Sequence, residues 1–469
     1  MNIVININEN NSVPLYVQLY EGIRKEISEG RIEANTKMPS IRQMAKNLNM
    51  SKTTIENTYH QLIVEGYIYS KEKKGYYVSE INHTWLHPST DKIVSANTNT
   101  TEKKIKYNLT NTYIEDSIFN ETLWKKTIDK VISEKSKELL TQNNPQGEMA
   151  IREEIVKYIY QARGVFANTD QVIIGAGVQP LLFLLSNILS KFSNTKIGFE
   201  DPGFNRAKDV FINSPLELIP IDIKKDGIDM DCLSLAKVHA CYISPSHQFP
   251  TGTVMPINKR SELIHWAESE NAYIIEDDYN SEIRYQGRPI PSLQGLNRGE
   301  RVVYLGSFST VFLPSIRISY MILPYSLLKE YNNIKGTYAQ TASKLEQLAI
   351  ANYMKEGHFE KHIRRLKVHY SKKNEQVKKL IQEIFKDQAI IKGGDSGFNL
   401  YIEIKTQKLE KQIKEECIDK GIILNVLSDY TLKKNISKHP VIILSYKGII
   451  LSDLKKALEE IDFICFEKN

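Results

Sequence analysis

The sequence predicts an α/β chain in two parts: an N-terminal winged helix-turn-helix, then a doubly wound domain ending in a small α+β subdomain. Three observations lead there. Residues 1–79 carry three helical patterns followed by two short alternating strands. Residues 80–106 are rich in Asn, Thr, Ser and Lys and poor in apolar residues. From about residue 107 to 469, short apolar runs bounded by turn residues alternate with helical patterns.

In the first part, Pro14 to Gly30 reads as a helix with Leu15, Leu19, Ile23 and Ile27 on one face. Pro39-Ser40 opens a second helix, and Ser40 with Gln43 has capping-box spacing. Met50-Ser51 opens a third, which runs to about Glu65 with Ile55, Tyr59 and Leu62 turned inward and stops at Gly66. Tyr67-Ile68-Tyr69 and Tyr76-Tyr77-Val78 then read as two strands around the turn Lys71–Gly75. Residues 80–106 cannot bury a core and read as a flexible linker.

In the body, Val172–Ile174, Lys196–Phe199, Ala240–Ile243, Ala272–Ile275 and Val302–Leu305 are near-continuous apolar runs. Such runs, separated by helices, suit a largely parallel sheet covered on both faces. Lys329 to Phe385 reads as mostly helical, and the chain from about Ala389 as the smaller α+β subdomain.

The bulk properties exclude several classes. With 41% hydrophobic and 25% charged residues the chain reads as ordinary globular material, and a net charge of +6 over 469 residues does not by itself indicate nucleic acid. Four scattered cysteines, Cys232, Cys241, Cys417 and Cys465, form no metal-like spacing and read as reduced thiols. No apolar run reaches membrane-spanning length. The N-terminal residues do not look like a signal peptide, so a cytoplasmic location is expected.

Ser51, Lys52, Thr53 and Thr54 crowd the first turn of the third helix, where hydroxyls and free N–H groups can meet phosphate oxygens and base edges. Arg42 is placed to pair with phosphate or guanine. Lys73 and Lys74, with Gly75 allowing close passage, can approach the DNA backbone or minor groove. Residues 1–80 nevertheless hold ten Lys/Arg against nine Glu, so positive charge must gather on one face. The string Met38-Pro39-Ser40-Ile41-Arg42-Gln43-Met44-Ala45, with Ser51–Ile55 and Glu65-Gly66-Tyr67-Ile68, resembles the GntR-type winged helix over residues 12–79.

The body carries five ordered strings: Glu200–Phe204, Ser244–Gly252, Ile275–Glu282, Gly287–Pro289 and the loop 306–317. On these it resembles the large domain of MocR/GabR-type regulators, which fuse a GntR winged helix to a fold-type I aminotransferase-like domain. The resemblance implies a pyridoxal phosphate site. Asp277 would face the pyridine nitrogen, Tyr279 would hydrogen-bond the ring's phenolic oxygen, and Phe204 would stack on the ring. Gly177, Val178, Gln179, Ser307, Ser309 and Arg317 would hold the phosphate. It also implies a homodimer, head to tail.

Three positions depart from that pattern, the mildest being Phe204, where the family usually carries a tyrosine. Thr310 stands where the family carries its Schiff-base lysine, and a hydroxyl cannot form an imine. The nearest lysine in sequence is Lys329. Ile443 stands where an arginine grips the substrate carboxylate. The chain therefore reads as a DNA-binding transcription regulator whose body is catalytically degenerate and serves for ligand sensing, dimerisation or both, with no catalytic residue and no metal site. Its partners would be a double-stranded operator, a second copy and a small-molecule effector, with no membrane. The pocket would hold pyridoxal phosphate noncovalently, another anion, or nothing. The alternatives are an active aminotransferase with an accessory DNA-binding domain and a constitutive DNA-binding dimer.

Overall fold

A computed structural model describes residues 13–81 and 105–466, except 111–113, 116, 193, 286, 288–289 and 434–437. Most of the linker, and Arg288-Pro289 of the fourth body string, therefore lie outside the described residues. The chain divides into two compact units, 1–101 and 102–469.

In the first unit the helices span Leu15–Ser28, Ile41–Leu48 and Lys52–Val64, and Ile68–Lys71 pairs antiparallel with Gly75–Val78. Leu19, Ile23 and Ile27 meet Met44, Ile55, Tyr59, Leu62, Ile68 and Val78 in one core. Ser40 caps the second helix by accepting the Gln43 N–H at 3.2 Å. The capping box stays half-formed, because the Gln43 side-chain amide donates instead to Asn47, one turn on.

In the second unit an eight-stranded sheet runs in the order Val172–Gly175, Ser319–Ile322, Val302–Ser307, Tyr273–Asp277, Ala240–Ile243, Lys196–Asp201, Glu217–Lys224 and Gly227–Ile228. The five strands from Val302–Ser307 to Glu217–Lys224 are mutually parallel, while Ser319–Ile322 runs antiparallel to both its neighbours. Successive residues face opposite sides: Ile275 packs with Phe199, Tyr242 and Leu305, whereas Ile274 packs with Cys241, Ile243 and Leu263. Both faces are dry, which is why the strands read as continuous apolar runs.

The smaller sheet runs Ala389–Lys392, Asn399–Ile404, Val441–Ser445, Asn425–Val426, all antiparallel. The small subdomain draws on chain far from residue 389, because Tyr107–Asn108 forms a separate parallel pair with Ile422–Ile423 and the Ser445 N–H donates to the Leu109 carbonyl. The helix His358–Phe385 buries Phe359, His362, Leu366, Tyr370, Lys373, Val377 and Ile381 at helical spacing. Among the described residues no helix is long and apolar enough to cross a membrane, and no group of His, Cys, Asp and Glu could hold a metal ion.

Candidate functional site

On the first unit, Ser51 caps the third helix. Its Oγ accepts the Thr54 N–H at 3.1 Å and shares a second hydrogen bond with Thr54 Oγ1 at 2.9 Å. These two hydroxyls are already engaged with each other, and Ser51, Lys52 and Thr53 are exposed. Arg42 is exposed on the second helix. In the turn between the strands, Lys73 and Gly75 take positive φ values of 58° and 102°, and Lys73 and Lys74 project outward. Lys71 behaves differently: its ammonium lies 5.3 Å and 4.7 Å from the Tyr69 and Tyr77 rings. Neutralisation elsewhere resolves the near-balance of charge. Glu26 and Glu29 are paired with Arg31, and Glu65 is held by Tyr20 and Gln61. Among the described residues, no acidic side chain pairs with Arg42, Lys52, Lys73 or Lys74.

On the second unit, a cleft opens at the carboxyl ends of the parallel strands, where ligands collect in open α/β sheets. All nine expected cofactor contacts line it: Gly177, Val178, Gln179, Phe204, Asp277, Tyr279, Ser307, Ser309 and Arg317, together with Thr310. Strand ends place Asp277 and Ser307 there, and the start of the helix Val178–Leu189 places Gly177.

Asp277 is 7% exposed and accepts a hydrogen bond from the Tyr242 hydroxyl. Burial pushes its carboxyl up to about 7. Glu200, buried nearby, is pushed by burial up to about 8. Beneath them Arg163 pairs with Asp278 at 2.6 Å and 2.9 Å, and Tyr304 and Ser281 donate to the same carboxylate at 2.5 Å and 3.0 Å. Burial opposes ionisation of Asp278, but the Arg163 guanidinium and the hydrogen bonds from Tyr304 and Ser281 together outweigh it and hold the carboxyl below its ordinary range.

Several buried polar atoms of the cleft have no hydrogen-bond partner among the described residues: Tyr279 OH, Ser309 Oγ and Thr310 Oγ1. Buried polar groups are normally satisfied, so these atoms fit a ligand with acceptor and donor groups of its own. A Cβ on Gly177 would come within 2.2 Å of Arg317 Nη2, and the Gly177 φ of 94° already disfavours a side chain. Backbone and guanidinium thus form a cradle that only glycine leaves open, and an anion suits it. With a carboxylate at the far end and an aromatic wall at Phe204, the donor set fits pyridoxal phosphate. Gly177→Ala is expected to push Arg317 away and weaken phosphate binding by about 1–3 kcal/mol, the scale of a charge-assisted hydrogen bond, read by calorimetry with inorganic phosphate and with pyridoxal phosphate.

The sequence reading did not single out Arg206, Asn399, Tyr430, Ser445 or Lys447, which line a second lobe sharing Phe204, Ser309, Thr310 and Arg317 with the first. Tyr430 arrives on the loop 427–433, tied down by Asp201 accepting the Leu432 and Lys433 N–H groups at 2.7 Å and 2.9 Å. Ile443 lines this lobe too. Tyr430, Ser445 and Lys447 lie 120, 135 and 137 positions after Thr310 in the chain, so no local pattern could have found them, whereas Arg206 stands only two residues after Phe204.

Comparison with known proteins agrees with both units. Residues 15–78 match the model "Bacterial regulatory proteins, gntR family", and residues 111–436 match "Aminotransferase class I and II". An uncharacterized HTH-type transcriptional regulator of Bacillus subtilis, YdeL, is 35% identical over 98% of this chain and 99% of its own. The probable rhizopine catabolism regulatory protein MocR of Rhizobium meliloti is 28% identical over 86% of this chain and 84% of its own. The kynurenine aminotransferase of Pyrococcus horikoshii superposes with a TM-score of 0.69 at 20% identity, over 78% of this chain and 91% of its own, which shows the fold.

Proposed function

Because the chain belongs to the GntR-type regulators that carry an aminotransferase class I and II domain, and is a DNA-binding transcription regulator, we propose that its body senses a ligand and does not transaminate. Thr310 carries the proposal. The loop that would offer an imine-forming amine offers a hydroxyl, while the groups that would hold a pyridine ring and a phosphate remain around it. Ile443, 2% exposed, adds an apolar wall where a carboxylate grip would be needed.

In this reading pyridoxal phosphate occupies the first lobe, and when bound it supplies an aldehyde and a pyridinium ring. Gly177, Val178, Gln179, Ser307, Ser309 and Arg317 hold the phosphate. Asp277 keeps the ring nitrogen protonated, Tyr279 donates to the phenolic oxygen and Phe204 covers the ring face. Position 310 makes no bond to it. Arg42, Ser51, Lys52, Thr53, Thr54, Lys73, Lys74 and Gly75 meet operator DNA, with Ser51 acting chiefly as the cap that aims the turn. The protein works in the cytoplasm as a head-to-tail homodimer, and a small-molecule effector adjusts its DNA affinity.

The test is a calorimetric titration with pyridoxal phosphate for the natural chain and for Asp277→Asn, beside thermal unfolding at several pH values. The variant is expected to bind about 10- to 100-fold more weakly, the worth of a hydrogen bond to a charged group. Its unliganded stability should move the other way. The folded Asp277 carboxyl titrates at about 7, above the ordinary 3.8, so the folded state holds a proton that the unfolded state has released. Stability therefore falls as pH rises from about 4 to 7 and then levels, at a cost of about 4 kcal/mol for three units. Asp277→Asn should remove that loss, with no gain at pH 4 and the largest gain above pH 7. Equal affinity in both proteins would remove the cofactor reading. Amino-donor turnover would restore the aminotransferase reading.

A further inference from the structure

Among the described residues three lysines are almost fully buried: Lys344, Lys373 and Lys447. Two have acidic company. Lys344 lies 3.7 Å from Glu148 amid four oxygen acceptors, and Lys373 pairs with Glu115. Lys447 is 2% exposed and, among the described residues, pairs with no carboxylate. Its Nζ donates to the Thr310 carbonyl at 2.5 Å and lies 5.0 Å from the Phe398 ring. It lines the second lobe, which shares Ser309, Thr310 and Arg317 with the first.

We propose that Lys447, entering from the small subdomain, supplies the amine that position 310 lacks, and that the cleft captures an aldehyde ligand, pyridoxal phosphate, as a reversible imine on Lys447. Reach supports this. With its Nζ on the Thr310 carbonyl oxygen, the amine lies within about 5 Å of the Thr310 Cα, summing that bond with ordinary C=O and Cα–C lengths. A lysine at position 310 would carry its own amine a similar distance from that Cα on its four-carbon stem. A single hydrogen bond to a neutral carbonyl is a weak tether, so the amine can leave it.

Chemistry supports it as well. An amine nucleophile must be unprotonated. Burial pushes the Lys447 ammonium down to about 7, with no other cause opposing it. A substantial share is therefore the free amine near neutrality, unlike an exposed lysine. The step balances without an oxidant: the amine lone pair forms the new bond to the aldehyde carbon, the carbonyl oxygen takes up the two amine hydrogens and leaves as water, and the reverse reaction returns the aldehyde.

The inference rests on the reading that the first lobe takes pyridoxal phosphate, and the experiment separates the two. Full-length protein is titrated with pyridoxal phosphate by calorimetry and absorbance, treated with borohydride, digested and mapped by mass spectrometry. Lys447→Met and Lys447→Arg follow in parallel, with far-ultraviolet circular dichroism to confirm that each folds. The expected result is a single reduced adduct on the peptide containing Lys447 at one equivalent of ligand. Both variants lose the adduct and the imine absorbance while still releasing heat on binding. Arginine serves as the second variant because it keeps a cation in the burial site yet forms no imine. Binding without an adduct in the natural chain, or an adduct on a different lysine, would overturn the inference and leave the cleft reading standing. No binding at all would overturn both.

Discussion

Arg163→Met is expected to destabilise the second unit by about 3–5 kcal/mol, the cost of leaving one member of a buried ion pair uncompensated. Arg163 and Asp278 are both nearly sealed from solvent, and the guanidinium also donates to Ser246 at 2.5 Å and to the Ile290 carbonyl. Removing it strands an ionised carboxylate directly after Asp277 in the chain, beneath the floor of the cleft. Urea unfolding followed by tryptophan fluorescence reads the loss, since Trp124 and Trp266 both lie in this unit. Arg163→Met combined with Asp278→Asn should recover part of it, because the stranded charge is then gone. A loss below about 1 kcal/mol for the single variant would show that water or another cation reaches Asp278. The pair holds the strand end that presents Asp277 and Tyr279, so ligand affinity should fall with stability.

Arg42→Ala and Lys52→Ala should each weaken operator binding by about 1–3 kcal/mol, but differently. Arg42, read as a base contact, should lose discrimination between the selected duplex and a scrambled one. Lys52, read as a phosphate contact, should weaken both duplexes alike and lower the salt dependence by about one counterion. The measurement is fluorescence anisotropy across a salt series, using a duplex selected from a random pool by the natural protein. Both side chains are exposed and neither contributes to the core of Leu19, Ile23, Tyr59 and Leu62, so the fold and the assembly state should not change. Unchanged affinity in both variants would move the reading face elsewhere on the unit. Ser51→Ala should also weaken binding, through the helix start, because its hydroxyl is engaged with Thr54.

What could be read from the chain alone was whatever repeats over a few residues. The i, i+4 spacing of Leu15 to Ile27, the cap at Ser51, the apolar runs ending near Asp277 and the ordered strings around the loop 306–317 are all local patterns, and local patterns report which face is buried and where an element stops. They also carried the absence of an amine at Thr310, which needs no structure to see. Three strands of the large sheet escaped that reading. Glu217–Lys224 lies near one edge of the sheet, where its burial is mostly partial, Gly227–Ile228 is two residues long, and Ser319–Ile322 opens on a polar serine.

Only tertiary structure decided what stands beside what. The half-formed box at Ser40 depended on whether Gln43 reached back to the cap or forward to Asn47. Lys71 became a partner of two tyrosines, and the other wing lysines did not. Lys447 reached Thr310 across 137 residues, because Val441–Ser445 packs antiparallel to Asn399–Ile404 and carries its following turn to the mouth of the cleft. Side-chain type states what chemistry a residue can do, whereas burial and neighbours set its charge, its reach and its partner. For Lys447 those came from the packing of strands distant in the chain, which no spacing along the sequence encodes.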